Sequence, residues 1–240
     1  MSCCAPKCHA FLDNTEYKCK GSIEKTGDLE LYVAGSGKKC IIWNYDIYGF
    51  DGGRTRQNVD LLAEHDFMVI LPDYYRGGCI AATDPGLGDF IKYYDYAKLE
   101  PDVNRVIAFA REKGAEIFGS VGTCWGSYLV MKYSSFPDFK AGISIHPSHS
   151  RMCGVLGETE ESLLRNIICK QLFMPAGNDH ENTRAGGLAE QILKDNLIIE
   201  DFPDMIHGWS TRGDLADPLI KRDVDRAVNC YLSFIKDNIQ

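Results

Sequence analysis

Short apolar runs at residues 40–43, 67–71, 115–121, 142–145, 171–174 and 197–202 are bounded by turn-forming or charged residues, and each predicts a buried strand. Between and after them, residues 54–65, 102–113, 125–135, 158–166, 185–193 and 219–235 place apolar side chains at helical spacing. In the first of these helices Val59, Leu61, Leu62 and Ala63 supply the apolar positions. Residues 18–24 and 29–33 read as two further strands, joined by the hairpin-like connection Lys25-Thr26-Gly27-Asp28. Strand–helix alternation implies βαβ units with right-handed crossovers. The expected class is α/β, with a mostly parallel central sheet flanked by helices on both faces. Residues 74–97 are rich in aromatics and glycine and read as an irregular connection. Neither an internal repeat nor an interdomain linker interrupts the pattern, so residues 21–240 read as one domain behind a flexible, cysteine-rich tail, residues 1–20.

Polar residues fall repeatedly at the carboxyl ends of the expected strands, the edge where parallel sheets bind ligands. One case organises the rest. Gly122-Thr123-Cys124-Trp125-Gly126 lies between the apolar run 115–121 and the helix after it. A strand, a Gly-x-nucleophile-x-Gly turn and a helix describe a nucleophile elbow, here presenting cysteine in place of the usual serine. The helix end above it favours a thiolate and a developing oxyanion. Such a nucleophile needs a base and a group to orient the base. His207 follows the last strand and precedes the closing helix, and Asp179 follows the strand 171–174. Cys124, Asp179 and His207 thus occur in the chain order of this architecture. Asp201 and Asp204 are nearer His207 in sequence and are weaker candidates to orient it.

The totals narrow the field. A chain of 240 residues with 45% hydrophobic composition can bury one substantial core. Its net charge of −8 disfavours nucleic acid or an anionic membrane as the main partner. No run is long enough to span a membrane, and the N-terminus lacks the apolar core of a signal peptide. Ten cysteines without such a signal suggest reduced thiols in the cytoplasm. Cys3, Cys4, Cys8, His9 and Cys19 cluster in the tail, but lack the paired C-x-x-C spacing of a zinc site, so free thiols are expected.

Asp46-Ile47-Tyr48-Gly49, Pro72-Asp73-Tyr74-Tyr75-Arg76-Gly77, the elbow, Gly177-Asn178-Asp179 and His207-Gly208-Trp209 together resemble the dienelactone hydrolase family (carboxymethylenebutenolidase-like proteins) of the α/β-hydrolase fold. The resemblance spans roughly residues 40–235. It implies a Cys124–His207–Asp179 triad and an oxyanion hole from the backbone N–H groups of Ile47 and Trp125. It also implies hydrolysis of esters or lactones of small carboxylate-bearing molecules through a thioester, without metal or organic cofactor, by a monomer or weak homo-oligomer. Asp46 matches an acidic residue that restrains the resting thiol in the family, where bacterial members typically carry glutamate. Arg76 matches an arginine that meets a substrate carboxylate; an ordinary ion pair is its plainer reading. Tyr48, Tyr75, Trp209 and His146, with Tyr45 and Tyr74, are candidates to wall the pocket, and core packing explains some of these aromatics equally well. Two rivals compete. A class I amidotransferase would need glutamate soon after its histidine, which neither His146 nor His207 has. A non-catalytic ligand-binding or thiol redox-sensing protein of the same fold would keep Cys124 without turnover.

Overall fold

The computed structural model describes residues 8–12, 14 and 16–240, so the tail cysteines Cys3 and Cys4 lie outside the described residues. In chain order the elements are β1 (Ser22–Thr26), β2 (Leu29–Ala34), β3 (Lys39–Asn44), α1 (Thr55–Ala63), β4 (Met68–Pro72), α2 (Leu87–Tyr93), α3 (Tyr96–Glu112), β5 (Ile117–Thr123) and α4 (Gly126–Tyr133). They continue as β6 (Phe139–Ile145), α5 (His149–Leu156), α6 (Glu160–Arg165), β7 (Lys170–Met174), α7 (Leu188–Leu193), β8 (Leu197–Ile199), α8 (Trp209–Arg212) and α9 (Pro218–Asn238). The strands form one eight-stranded sheet ordered β1-β2-β4-β3-β5-β6-β7-β8. β1 and β2 run antiparallel to their neighbours, and every pairing from β4 to β8 is parallel.

Helices cover both faces, as two glycines of β5 show. A Cβ on Gly119 would strike Ile239 just past the end of α9, whereas one on Gly122 would strike Val130 of α4. Residues of odd and even number point to opposite faces of a strand, so α9 and α4 pack on opposite sides. The strands between them are buried along nearly their whole length, as parallel strands covered twice must be. Trp43, Trp125 and Trp209 are among the largest fully buried side chains. None of the described helices is long and apolar enough to cross a membrane.

The pattern misses helix inside the aromatic stretch. Residues 87–93 form α2, and α3 begins at Tyr96, not at residue 102. Glycines at 86 and 88 and a proline at 101 argue against helix locally. Asp95 nevertheless caps α3, accepting from the Lys98 N–H at 3.0 Å, and Leu99, Val103, Val106 and Ile107 are buried together, which outweighs the proline. Helix α5 was also not evident, because it opens in the polar run after Pro147. The last strand is shorter than its apolar run: β8 ends at Ile199, and Phe202 makes only an isolated bridge to Ala176.

Candidate active site

At the carboxyl end of β5 the chain turns sharply into α4, with Cys124 at the turn in the left-handed region, φ 52°. A non-glycine residue held there costs about 1–3 kcal/mol and marks a position the surroundings over-determine. The surroundings are close backbone. A Cβ on Gly122 would lie 2.4 Å from the Gly126 carbonyl oxygen, and a Cβ on Gly126 would lie 2.2 Å from that of Asn44. Only glycine fits at both positions. The Cys124 carbonyl accepts from the N–H groups of Ser127 (3.1 Å) and Ser148 (3.2 Å), tying the turn to α4 and to the start of α5.

His207 comes from the loop between β8 and α8. Its N–H donates to Asn178 Oδ1 at 2.8 Å, and its Nδ1 lies 2.5 Å from Asp179 Oδ1. The other Asp179 oxygen accepts from the Ala176 N–H at 2.7 Å, which fixes the carboxylate at the end of β7. Asp201 and Asp204 face arginines on the outside, Arg184 and Arg222. The far edge of the His207 ring meets the Cys124 side chain. Burial alone would push the imidazolium towards its neutral form, but the charges of Cys124 and Asp179 outweigh it and hold its pKa well above the ordinary range. The geometry therefore brings Cys124, His207 and Asp179 into one line. Ser148 Oγ sits beside that line, 3.5 Å from both Cys124 Sγ and His207 Nε2.

The loop after β3 forms the opposite wall. Ile47 and Trp125 are both fully buried, and among the described residues neither backbone N–H donates a hydrogen bond. Buried N–H groups without acceptors are rare, and each of these two is able to donate to a ligand oxygen. Asp46, buried beside them, accepts from the Tyr48 N–H at 2.9 Å, from the Thr211 hydroxyl at 3.1 Å and from the Arg212 guanidinium. Arg212 also donates to the His9 carbonyl at 3.0 Å, and the His9 N–H donates to the His207 carbonyl at 2.9 Å. Residues 8–12 thus run along the loop that carries His207, with Phe11 against Tyr48. Arg54 donates to the carbonyls of Trp209, Ser210 and Gly213, and burial lowers its pKa to about 10.

The remaining candidates divide. His146, at φ 39°, stacks edge-on to His207 with ring centres 4.9 Å apart and shares a 2.8 Å hydrogen bond with Ser210. Burial drives its pKa well down, the opposite direction to that of the neighbouring His207. Tyr48 lies under the Arg212 guanidinium. Tyr75 packs among Tyr45, Phe90, Tyr94 and Trp125, and Trp209 packs on Phe202. Arg76 is committed elsewhere: its guanidinium pairs with Asp102 of α3 and with Asp28 in the turn between β1 and β2. Arg212 and Ser148 escaped the sequence reading. Arg212 is an ordinary arginine in a helical turn until folding buries it, whereas Ser148 stood in plain view at the end of a strand. Among the described residues no group of three or more His, Cys, Asp or Glu side chains is placed to hold a metal ion.

Comparison with known proteins identifies the family. Residues 30–237 match the model of the dienelactone hydrolase family, and the chain belongs to that family. An uncharacterised AIM2 family protein of Schizosaccharomyces pombe is 28% identical over 98% of each chain. A carboxymethylenebutenolidase homolog of Xenopus tropicalis is 27% identical over 83% of each. Among solved structures, a dienelactone hydrolase-like promiscuous phosphotriesterase from metagenomic libraries superposes with a TM-score of 0.64 over 98% of each chain, at 13% identity. At that identity the superposition shows the α/β-hydrolase fold alone.

Proposed function

Starting from membership of the dienelactone hydrolase family, we propose that this hydrolase cleaves esters or lactones of small carboxylate-bearing molecules, with Cys124 as nucleophile and a thioester intermediate. One observation carries the reading: Cys124, His207 and Asp179 interact in sequence, and the buried backbone N–H groups of Ile47 and of Trp125, the residue after Cys124, have no acceptor among the described residues. A redox sensor or a structural thiol needs no such pair of donors.

The steps follow from the geometry. His207 takes the thiol proton, and the Asp179 carboxylate supports the resulting imidazolium through Nδ1. The thiolate attacks the substrate carbonyl, forming a C–S bond, and the new oxyanion takes the N–H groups of Ile47 and Trp125. Collapse expels the alkoxide, which receives the proton from His207 Nε2 and leaves the acyl group on sulfur. Water, deprotonated by His207, then attacks the thioester and releases the acid and the thiol. The preference for carboxylate-bearing substrates follows the family resemblance. The two buried guanidiniums at the loop that carries His207 are both engaged, Arg212 by Asp46 and Arg54 by the carbonyls of Trp209, Ser210 and Gly213.

A spectrophotometric screen of aryl esters and unsaturated lactones, with wild type and Cys124→Ala side by side, tests the proposal. Turnover by wild type, abolished in the variant and accompanied by a hydroxylamine-sensitive acyl adduct on Cys124, is the expected result. Turnover surviving in Cys124→Ala, or none in wild type across the panel, would overturn it.

A further inference from the structure

Helix α5 has a serine at its N-cap, and that serine does not cap it. Ser148 occupies the position, yet its side chain makes no capping hydrogen bond. A serine hydroxyl there normally accepts from an N–H of the first turn and contributes about 0.5–2 kcal/mol to the helix. The Ser148 hydroxyl points away from α5 and lies 3.5 Å from Cys124 Sγ and 3.5 Å from His207 Nε2. Ser148 is almost wholly buried, and no other side-chain partner competes for its oxygen among the described residues. Its backbone is locked in place: the N–H meets the Cys124 carbonyl at 3.2 Å and Ser127 Oγ at 2.9 Å, directly after Pro147.

The two distances are equal but not equivalent. Sulfur is large, so 3.5 Å is an ordinary length for a hydroxyl donating to it, whereas the same length to nitrogen is slack. The hydroxyl proton therefore belongs to sulfur. A thiolate buried among aromatics and aliphatics needs donors, because burial without them disfavours the charged form. His207 supplies one and the N-terminal end of α4 a partial charge; Ser148 supplies the third.

We propose that Ser148 is a catalytic residue: its hydroxyl donates to the Cys124 thiolate before attack, and lets go of the sulfur once the thioester has formed. This inference rests on the reading of Cys124 as nucleophile. No proton leaves the hydroxyl. The thiol proton goes to His207 and from there to the departing alkoxide. When sulfur becomes a thioester it ceases to be a good acceptor, and the hydroxyl rotates about its Cα–Cβ and C–O bonds with no other bond made or broken.

The test needs no substrate, so it is separate from the hydrolysis screen. The ultraviolet thiolate band is titrated against pH in wild type and Ser148→Ala, each corrected by the same protein carrying Cys124→Ala, which isolates the Cys124 signal from the other cysteines. Loss of one charge-assisted donor should move the thiolate midpoint up by about one pH unit, roughly tenfold less thiolate at a fixed pH below the midpoint. Ser148→Thr keeps the hydroxyl and should titrate like wild type. At pH values below the thiolate midpoint the melting temperature should not change in Ser148→Ala, since no cap is lost. Superimposable titrations of wild type and Ser148→Ala would overturn the proposal, as would an equal shift in Ser148→Thr. If Ser148→Ala fails to fold, the hydroxyl is a structural cap after all and the proposal falls; Ser148→Cys, closer in volume and a weaker donor, must then show the same upward shift to restore it.

Discussion

Substituting alanine for Gly126 tests how tightly the turn at Cys124 is built. The added Cβ would lie 2.2 Å from the Asn44 carbonyl oxygen, 2.6 Å from its carbon and 2.7 Å from the Tyr45 oxygen. Ordinary contact begins near 3.4 Å, so one side must retreat by about 1.2 Å. Neither side is a flexible side chain. Asn44 ends β3 and holds Ser120 Oγ and the Val121 carbonyl through its amide, both at 3.0 Å, while Gly126 opens α4. Overpacking against backbone costs about 1–3 kcal/mol, a drop of about 2–12 °C in melting temperature for a chain of this size. The functional cost should be larger, because Asn44 and Tyr45 lead directly into Asp46 and Ile47, and Gly126 is next to Trp125. A shift of this size moves one N–H of the oxyanion pair away from the other, and misplacement of about 1 Å costs on the order of 100-fold in rate. The assay is kcat/KM on whichever aryl ester the screen identifies, alongside thermal unfolding by circular dichroism. A variant that melts within a degree of wild type and keeps kcat/KM within twofold would refute both the close approach and the two-donor site.

Two further outcomes follow from buried charge. The Asp46–Arg212 pair is almost fully removed from solvent, so Arg212→Met should lower unfolding free energy by about 3–5 kcal/mol by leaving a carboxylate unpaired, and Asp46→Leu with Arg212→Met should recover most of the loss; chemical denaturation of the single and double variants decides, and a single-variant cost below about 1 kcal/mol would contradict the pairing. The raised pKa of His207 means that its charged form favours folding: this contribution is full below the unfolded value of about 6.5 and is lost as pH rises through the raised folded value. Asp179→Asn removes part of it, so its melting-temperature deficit should be widest near pH 6, where the carboxylate is ionised, and should shrink as pH climbs; a deficit that grows with pH would show that His207 is neutral in the folded chain.

The strands and the order of the chemical residues were legible because both are written locally. A parallel strand buried on both faces is an unbroken apolar run, and an elbow is a glycine pattern at fixed spacing. Asp179 could be chosen over Asp201 and Asp204 from chain order, and in the structure it is Asp179, after the end of β7, that lies 2.5 Å from His207, while the other two face outward arginines. Arg76 shows the opposite case. Its motif invites a ligand role, but the outcome depends on Asp28 and Asp102, which approach from other elements and leave no trace near it in sequence. Arg212 and Ser148 were missed for the same reason. Each is defined by what lies across the fold from it: Asp46 for the first, Cys124 and His207 for the second.

That difference explains why the loop that carries Ile47 and the loop that carries His207 must be considered together. The segment 46–54 and the segment 207–213 are held to each other at several points: Asp46 to Thr211 and Arg212, the Arg54 side chain to the carbonyls of Trp209, Ser210 and Gly213, and the Arg54 N–H to the Thr211 carbonyl at 2.9 Å. Gly53, at φ 56°, lets the two backbones approach until a Cβ would sit 2.3 Å from the Thr211 oxygen. Neither loop belongs to the sheet, and loops unsupported by a sheet are the parts of a fold that open first. Tying one to the other makes the distance between the Ile47 N–H and the His207 ring a property of a single unit. In acyl transfer the oxyanion donor and the base act on opposite sides of one carbonyl carbon, so their separation has to be set before the substrate arrives. On the proposed mechanism the buried arginines therefore bear on catalysis even where they touch no substrate.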